Sequence, residues 1–187
     1  SIPDTVISIG RQAFSGCSKL EVVLLPQNLT SIEWQAFLNC ESLVRITVPE
    51  GVTVINEQAF SGCTSLQVAT LLGNVTSIGN KAFSGCRGMT AINIPASVTS
   101  IGDGAFGSCV SLTKLSIPGS VTAIGNDAFI GCTGLTSVSL PDSITSFGYT
   151  VFKGCTGLKE VTLPGTFSSV DANTFKDCNA LTRGYIP

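Results

Sequence analysis

Phenylalanine recurs at Phe14, Phe37, Phe60, Phe83, Phe106, Phe129, Phe152 and Phe175, and cysteine at Cys17, Cys40, Cys63, Cys86, Cys109, Cys132, Cys155 and Cys178. Both columns advance by 23 residues without an insertion or deletion. A fixed period over the whole chain restricts the fold to a stack of similar small units. Residues 1–187 therefore read as one repeat domain of eight units. Ser1-Ile2-Pro3 reads as the tail of a preceding unit, and the chain as a fragment of a longer protein.

The unit from Pro95 to Ile117 shows the pattern. Leu115 and Ile117 alternate with Lys114 and Ser116, which is a strand signature. Pro118 has no N–H to donate to a ladder and ends that strand. The same strand recurs as LEVVLL, LVRITV, LQVATL, MTAINI, LTSVSL, LKEVTL and LTRGYI. A second apolar pair, Val98 and Ile101, marks a short extended segment. Ala105, Phe106 and Cys109 then fall at i, i+1 and i+4, which predicts a one-turn helix with these three on its inner face. Glycine just before the cysteine (Gly16, Gly62, Gly85, Gly131, Gly154) lets the chain leave that turn with positive φ. The fold class expected is an α/β repeat solenoid of eight 23-residue repeats, with a parallel sheet on one side and short helical turns on the other.

Eight cysteines here do not imply a disulfide framework. Side chains at one register of a solenoid stack in parallel, about 5 Å apart. A disulfide needs Cβ atoms roughly 3.8 Å apart, so a column of buried free thiols is expected. The net charge of −2 favours neither nucleic acid nor an anionic membrane. No apolar run approaches the roughly 18 residues of a spanning helix, so no membrane insertion is expected.

The pattern LxxIxIP, then VxxI, then AFxxC, at a 23-residue step, resembles the BspA-like (Treponema-type) class of leucine-rich repeats over the whole chain. The resemblance implies a right-handed curved solenoid with its parallel sheet on the concave side and its helical turns on the convex side. It implies a bacterial cell-surface or secreted protein engaged in adhesion, hence an extracellular location. It brings no catalytic residues. The last units depart from the pattern at Phe147, Val151, Val170, Thr174 and Gly184, where irregular geometry is expected.

On such a scaffold the outward strand positions are free for function. One column runs Val22, Arg45, Val68, Ala91, Lys114, Ser137, Glu160, Arg183, and its neighbour begins at Leu24. Val22, Leu24 and Val68 form an apolar patch, and such patches mark contacts. Two readings stand for it, a partner site and a surface covered by upstream repeats. Arg45 joins this patch. Lys114, Lys159, Glu160 and Arg183 make either a mixed-charge contact or a solvated face. Trp34 stands where other units have Glu57, Asn80, Asp103 or Asn126. It is either an interface anchor or partly packed. Asn28-Leu29-Thr30 and Asn74-Val75-Thr76 match the glycosylation pattern, but a threonine recurs in that column in nearly every unit, which makes the match accidental. Asp103 and Asp127 are too sparse for calcium.

No catalytic, cofactor or metal site is expected. The chain has no histidine, and its cysteines have no base partner. The leading functional class is a module binding a protein or other extracellular macromolecule through its concave face. The alternative is a structural spacer that displays another domain. Uncapped strand edges at both ends also suggest end-to-end self-association.

Overall fold

The computed structural model describes residues 2–185. The chain winds as a parallel β-solenoid in which every paired residue meets the residue 23 positions on. One wall is the main ladder. Its strands are β3 (Arg45–Val48), β5 (Val68–Leu71), β7 (Ala91–Asn93), β9 (Lys114–Ser116), β11 (Ser137–Ser139), β13 (Glu160–Thr162) and β14 (Arg183–Tyr185). Val22 adds an isolated parallel bridge to Arg45. The alternation read from the sequence holds. Ile46, Ala69, Ile92, Leu115, Val138 and Val161 are buried, while Arg45, Val68, Ala91, Lys114 and Ser137 face solvent.

A second wall is built from two-residue strands, one per turn. They are β1 (Ser8–Ile9), β2 (Ser31–Ile32), β4 (Val54–Ile55), β6 (Ser77–Ile78), β8 (Ser100–Ile101), β10 (Ala123–Ile124) and β12 (Ser146–Phe147). The five strands from β4 to β12 form one continuous sheet. Threonine reinforces this wall. The Thr76 hydroxyl donates to Thr53 O at 3.1 Å, and Thr99 and Thr122 repeat the bond. That bond gives the threonine column its own structural reason, so the two glycosylation patterns need no functional one.

The third wall corrects the sequence reading. The expected helical turns are not helices, and no helix occurs among the described residues. In Gln58–Cys63 the backbone N–H groups alternate in direction. Gln58, Phe60 and Gly62 donate to Asn80, Ala82 and Ser84 of the next turn, at 2.9, 2.8 and 2.8 Å. Ala59, Ser61 and Cys63 instead close local i→i−3 bonds. An α-helix directs every N–H along its own axis to i−4, so this segment cannot be one. The alternation needs a left-handed residue at both ends of the turn. Gln58 has φ 55° and Gly62 has φ 73°. The expected glycine column supplies the second position, but Gln12, Gln35, Lys81, Asp127 and Thr150 occupy the first with equally positive φ.

The three walls enclose one core. The phenylalanine rings stack in parallel along its length, with centroids 5.1–5.8 Å apart and planes within 9° of each other. Phe37 through Phe152 are fully buried, and Phe14 and Phe175 are half-buried. Seven cysteines lie buried beside them, all free; Cys17 is exposed and departs from the expected buried column.

Candidate functional site

The main ladder fixes which side chains point outward. Val22, Arg45 and Val68 are successive partners in one register, so they form one row across three turns. Val22 is 59% exposed, Leu24 66% and Val68 49%. A recess of about 290 Å³ opens beside them, lined by Val22, Leu24, Arg45, Thr47 and Pro49 among others. The ladder holds this row rigidly, and Arg45 supplies a cation within an otherwise apolar patch.

Four of the six residues singled out from the sequence are thus brought together. Lys114 is not among them. It pairs with Ala91, which separates it from Val68 along the row. Trp34 lies apart as well, in a recess of about 380 Å³ lined by Arg11, Asn56 and Glu57. The Arg11 guanidinium sits over its ring at 5.9 Å, a cation–π contact that half-buries it. Trp34 therefore has a partner within its own chain.

The column that contains Trp34 also has a structural use. The Asn80, Asp103 and Asn126 side-chain oxygens accept the backbone N–H of Asp103, Asn126 and Tyr149, at 2.9, 2.7 and 2.8 Å. Their oxygens are engaged by the fold rather than held for an ion. No group of three or more metal-ligating side chains gathers among the described residues. Tyr149 stands in the same column and is 67% exposed. It escaped the sequence reading, although its sharing a column with Trp34 was a usable signal. A glutamine ladder also went unread. Gln12 Nε2 donates to Gln35 Oε1 at 2.7 Å, and Gln35 Nε2 donates to Gln58 in turn.

The thiols are poorly placed for chemistry. Burial pushes the Cys86 thiol up to about 12, and burial likewise raises Cys109, Cys132 and Cys155. Such thiols are neutral and unreactive near pH 7.

The 23-residue unit, its three ladders and its phenylalanine stack have close counterparts. The BspA type leucine rich repeat region matches at residues 1–113 and 67–182, with six copies. The chain belongs to this family. Among solved structures, the T. pallidum leucine-rich repeat protein TpLRR is 32% identical, over 77% of this chain and 70% of its own, with a TM-score of 0.75. A Bacteroides ovatus leucine-rich repeat protein is 29% identical, over 98% of this chain and 59% of its own, with a TM-score of 0.64. One from Eubacterium ventriosum is 25% identical, over 92% and 45%, with a TM-score of 0.76. The chain thus spans about half the length of the last two. No curated protein sequence matches it significantly. No helix among the described residues is long and apolar enough to cross a membrane.

Proposed function

We propose that this BspA-type repeat array is a non-catalytic adhesion module that binds an extracellular protein through its main ladder, at the row Val22, Leu24, Arg45 and Val68. The supporting observation is the exposure of three large apolar side chains around one arginine on a rigid strand face. Apolar side chains give such a contact its affinity, and an arginine at its centre gives it orientation. The family resemblance supports a cell-surface or secreted setting. The middle of the face is small and polar at Ala91, Asn93, Ser116 and Ser137, so binding concentrates at this row and is of modest strength.

The test compares the wild type with Val22→Asp/Leu24→Asp for binding to extracellular-matrix proteins and to whole cells. Both side chains point to solvent, so the variant keeps its melting temperature. The expected result is loss of binding. Equal binding by both proteins overturns the assignment. Absence of binding by any longer form of the array favours a spacer that displays another domain.

A further inference from the structure

A second surface lies on the second wall, between the seventh and eighth turns. Each turn of that wall donates two backbone N–H groups to the turn before. Thr145 N reaches Thr122 O at 2.9 Å, and Gly148 N reaches Ile124 O at 2.8 Å. Thr99 and Gly102 make the same two bonds to Thr76 and Ile78. In the eighth turn the equivalent donors are Ser168 and Asp171. Among the described residues, neither donates to Thr145 O or Phe147 O. The sheet stops at β12, and a cleft of about 610 Å³ opens between Phe147–Tyr149 and Thr166–Asp171.

Two substitutions within the repeat account for the break. Gly148 and Gly125 occupy a column where the backbone passes hard against the preceding turn. A Cβ at Gly148 would lie 2.4 Å from Asn126 N, and one at Gly125 would lie 2.6 Å from Asp103 N. Asp171 falls in that column and carries a Cβ. Phe167 falls in the column of Val98, Val121 and Ile144. It packs tilted against Phe147, with ring centroids 5.2 Å apart and planes at 54°. The eighth turn is thereby held off the ladder.

We propose that this cleft binds an extended basic peptide segment of a partner protein by strand addition to β12. Thr145 O and Phe147 O lie two residues apart on an open edge, the spacing at which one added strand supplies its N–H groups. Phe147 and Phe167 are half-buried beside that edge, and Tyr149 stands exposed. They offer a platform for an aliphatic or aromatic side chain of the added strand. Asp142 and Asp171 stand among the lining residues, with no lysine or arginine between them. The carboxylates and the free carbonyls both favour a donor-rich cationic segment. This site is separate from the Val22–Val68 row and would hold its ligand independently.

The test uses an eight-residue fluorescent peptide that alternates Val or Phe with Thr and has lysine near both ends. Titration into the full chain should give saturable binding. Replacing both lysines by glutamate, or N-methylating alternate backbone nitrogens, should each weaken binding by about tenfold or more. Tyr149→Ala, an exposed position, should weaken it by about threefold or more. Hydrogen exchange should slow across 145–149 and 166–171 and not on the main ladder. No saturable binding, equal affinity for the lysine and glutamate peptides, or indifference to N-methylation each overturns the proposal. So does saturable binding of a neutral oligosaccharide in place of the peptide.

Discussion

The Cys86 thiol donates to the carbonyl of Phe60, 26 residues earlier, across 3.2 Å. The same bond recurs from Cys40 to Phe14 through Cys178 to Phe152, at 3.1–3.3 Å. Each of these thiols therefore ties its own turn to the one before. A small apolar residue would fill the space, but only a thiol or hydroxyl also satisfies that buried carbonyl, and the thiol does so with little desolvation.

The thiols should accordingly divide into two classes. In the native state a thiol reagent is expected to modify Cys17 quickly, because it alone is exposed. The other seven should react only on unfolding. Peptide mapping after brief labelling checks this, and fast labelling of Cys63, Cys86 or Cys109 would contradict the packing.

Buried thiols also set an alkaline limit. Folding raises their pKa above the unfolded value, to about 12 for Cys86. A raised acid pKa means that the folded state holds its proton where the unfolded state has lost it. Stability is then fully present below the unfolded pKa of about 8.5 and declines as pH rises toward the folded pKa. Each such thiol contributes up to about 1.4 kcal/mol of destabilisation per pH unit in that window. The melting temperature should fall between about pH 9 and pH 12, and Cys86→Ala/Cys109→Ala should flatten that slope. A melting temperature constant through this window would refute the linkage.

Phe83 lies in the middle of the aromatic column, 5.4 Å from Phe60 and 5.5 Å from Phe106. It is fully buried, and no neighbour can collapse into its place without leaving its own stack. Phe83→Ala should cost about 3–5 kcal/mol, read as a lower urea midpoint. Phe83→Leu keeps most of the volume and should cost less than half as much. Equal losses for the two would mean that ring stacking outweighs volume.

Thr174 occupies the column otherwise filled by alanine and Val151, and it is the one buried polar side chain among the described residues. Its hydroxyl has no hydrogen-bond partner. Replacing an unsatisfied buried hydroxyl by a methyl of the same shape removes its desolvation penalty. Thr174→Val is expected to stabilise the chain by about 1 kcal/mol. A lower melting temperature would show that the hydroxyl has a partner such as a buried water.

The core columns and the outward row were legible because both follow from parity. A strand with Leu115 inward must present Lys114 outward, and a strict 23-residue step carries that assignment to Val22 and Val68. The third wall was misread for a physical reason. Ala105, Phe106 and Cys109 share one buried face in a helix and in the alternating turn alike, so the apolar spacing cannot separate the two. The deciding residues are those at positive φ, and Gln58 or Thr150 carries no glycine signal to betray them. The cleft was half legible. Phe147 and Val170 stood out as departures, but their effect depends on a close backbone approach at Gly148 that only the coordinates reveal.

That approach yields the most demanding prediction. If a Cβ in the Gly148 column is what holds a turn off the ladder, moving the Cβ should move the break. Gly148→Ala places a methyl within 2.4 Å of Asn126 N and 2.5 Å of Gly125 C, contacts that backbone cannot accept without shifting. The Thr145 and Gly148 amides, now bonded to Thr122 and Ile124, should then exchange faster than the equivalent Thr122 and Gly125 amides. In the opposite direction, Asp171→Gly with Phe167→Val restores the pattern of the earlier turns. The Ser168 and Asp171-position amides should gain protection as they pair with Thr145 O and Phe147 O, and the binding cleft should close. Hydrogen exchange resolved by residue checks both. Unchanged exchange at 145–148 in the first variant, or at 168–171 in the second, would show that the ladder ends for another reason. Closure of the cleft with peptide binding retained would place the peptide elsewhere on the molecule.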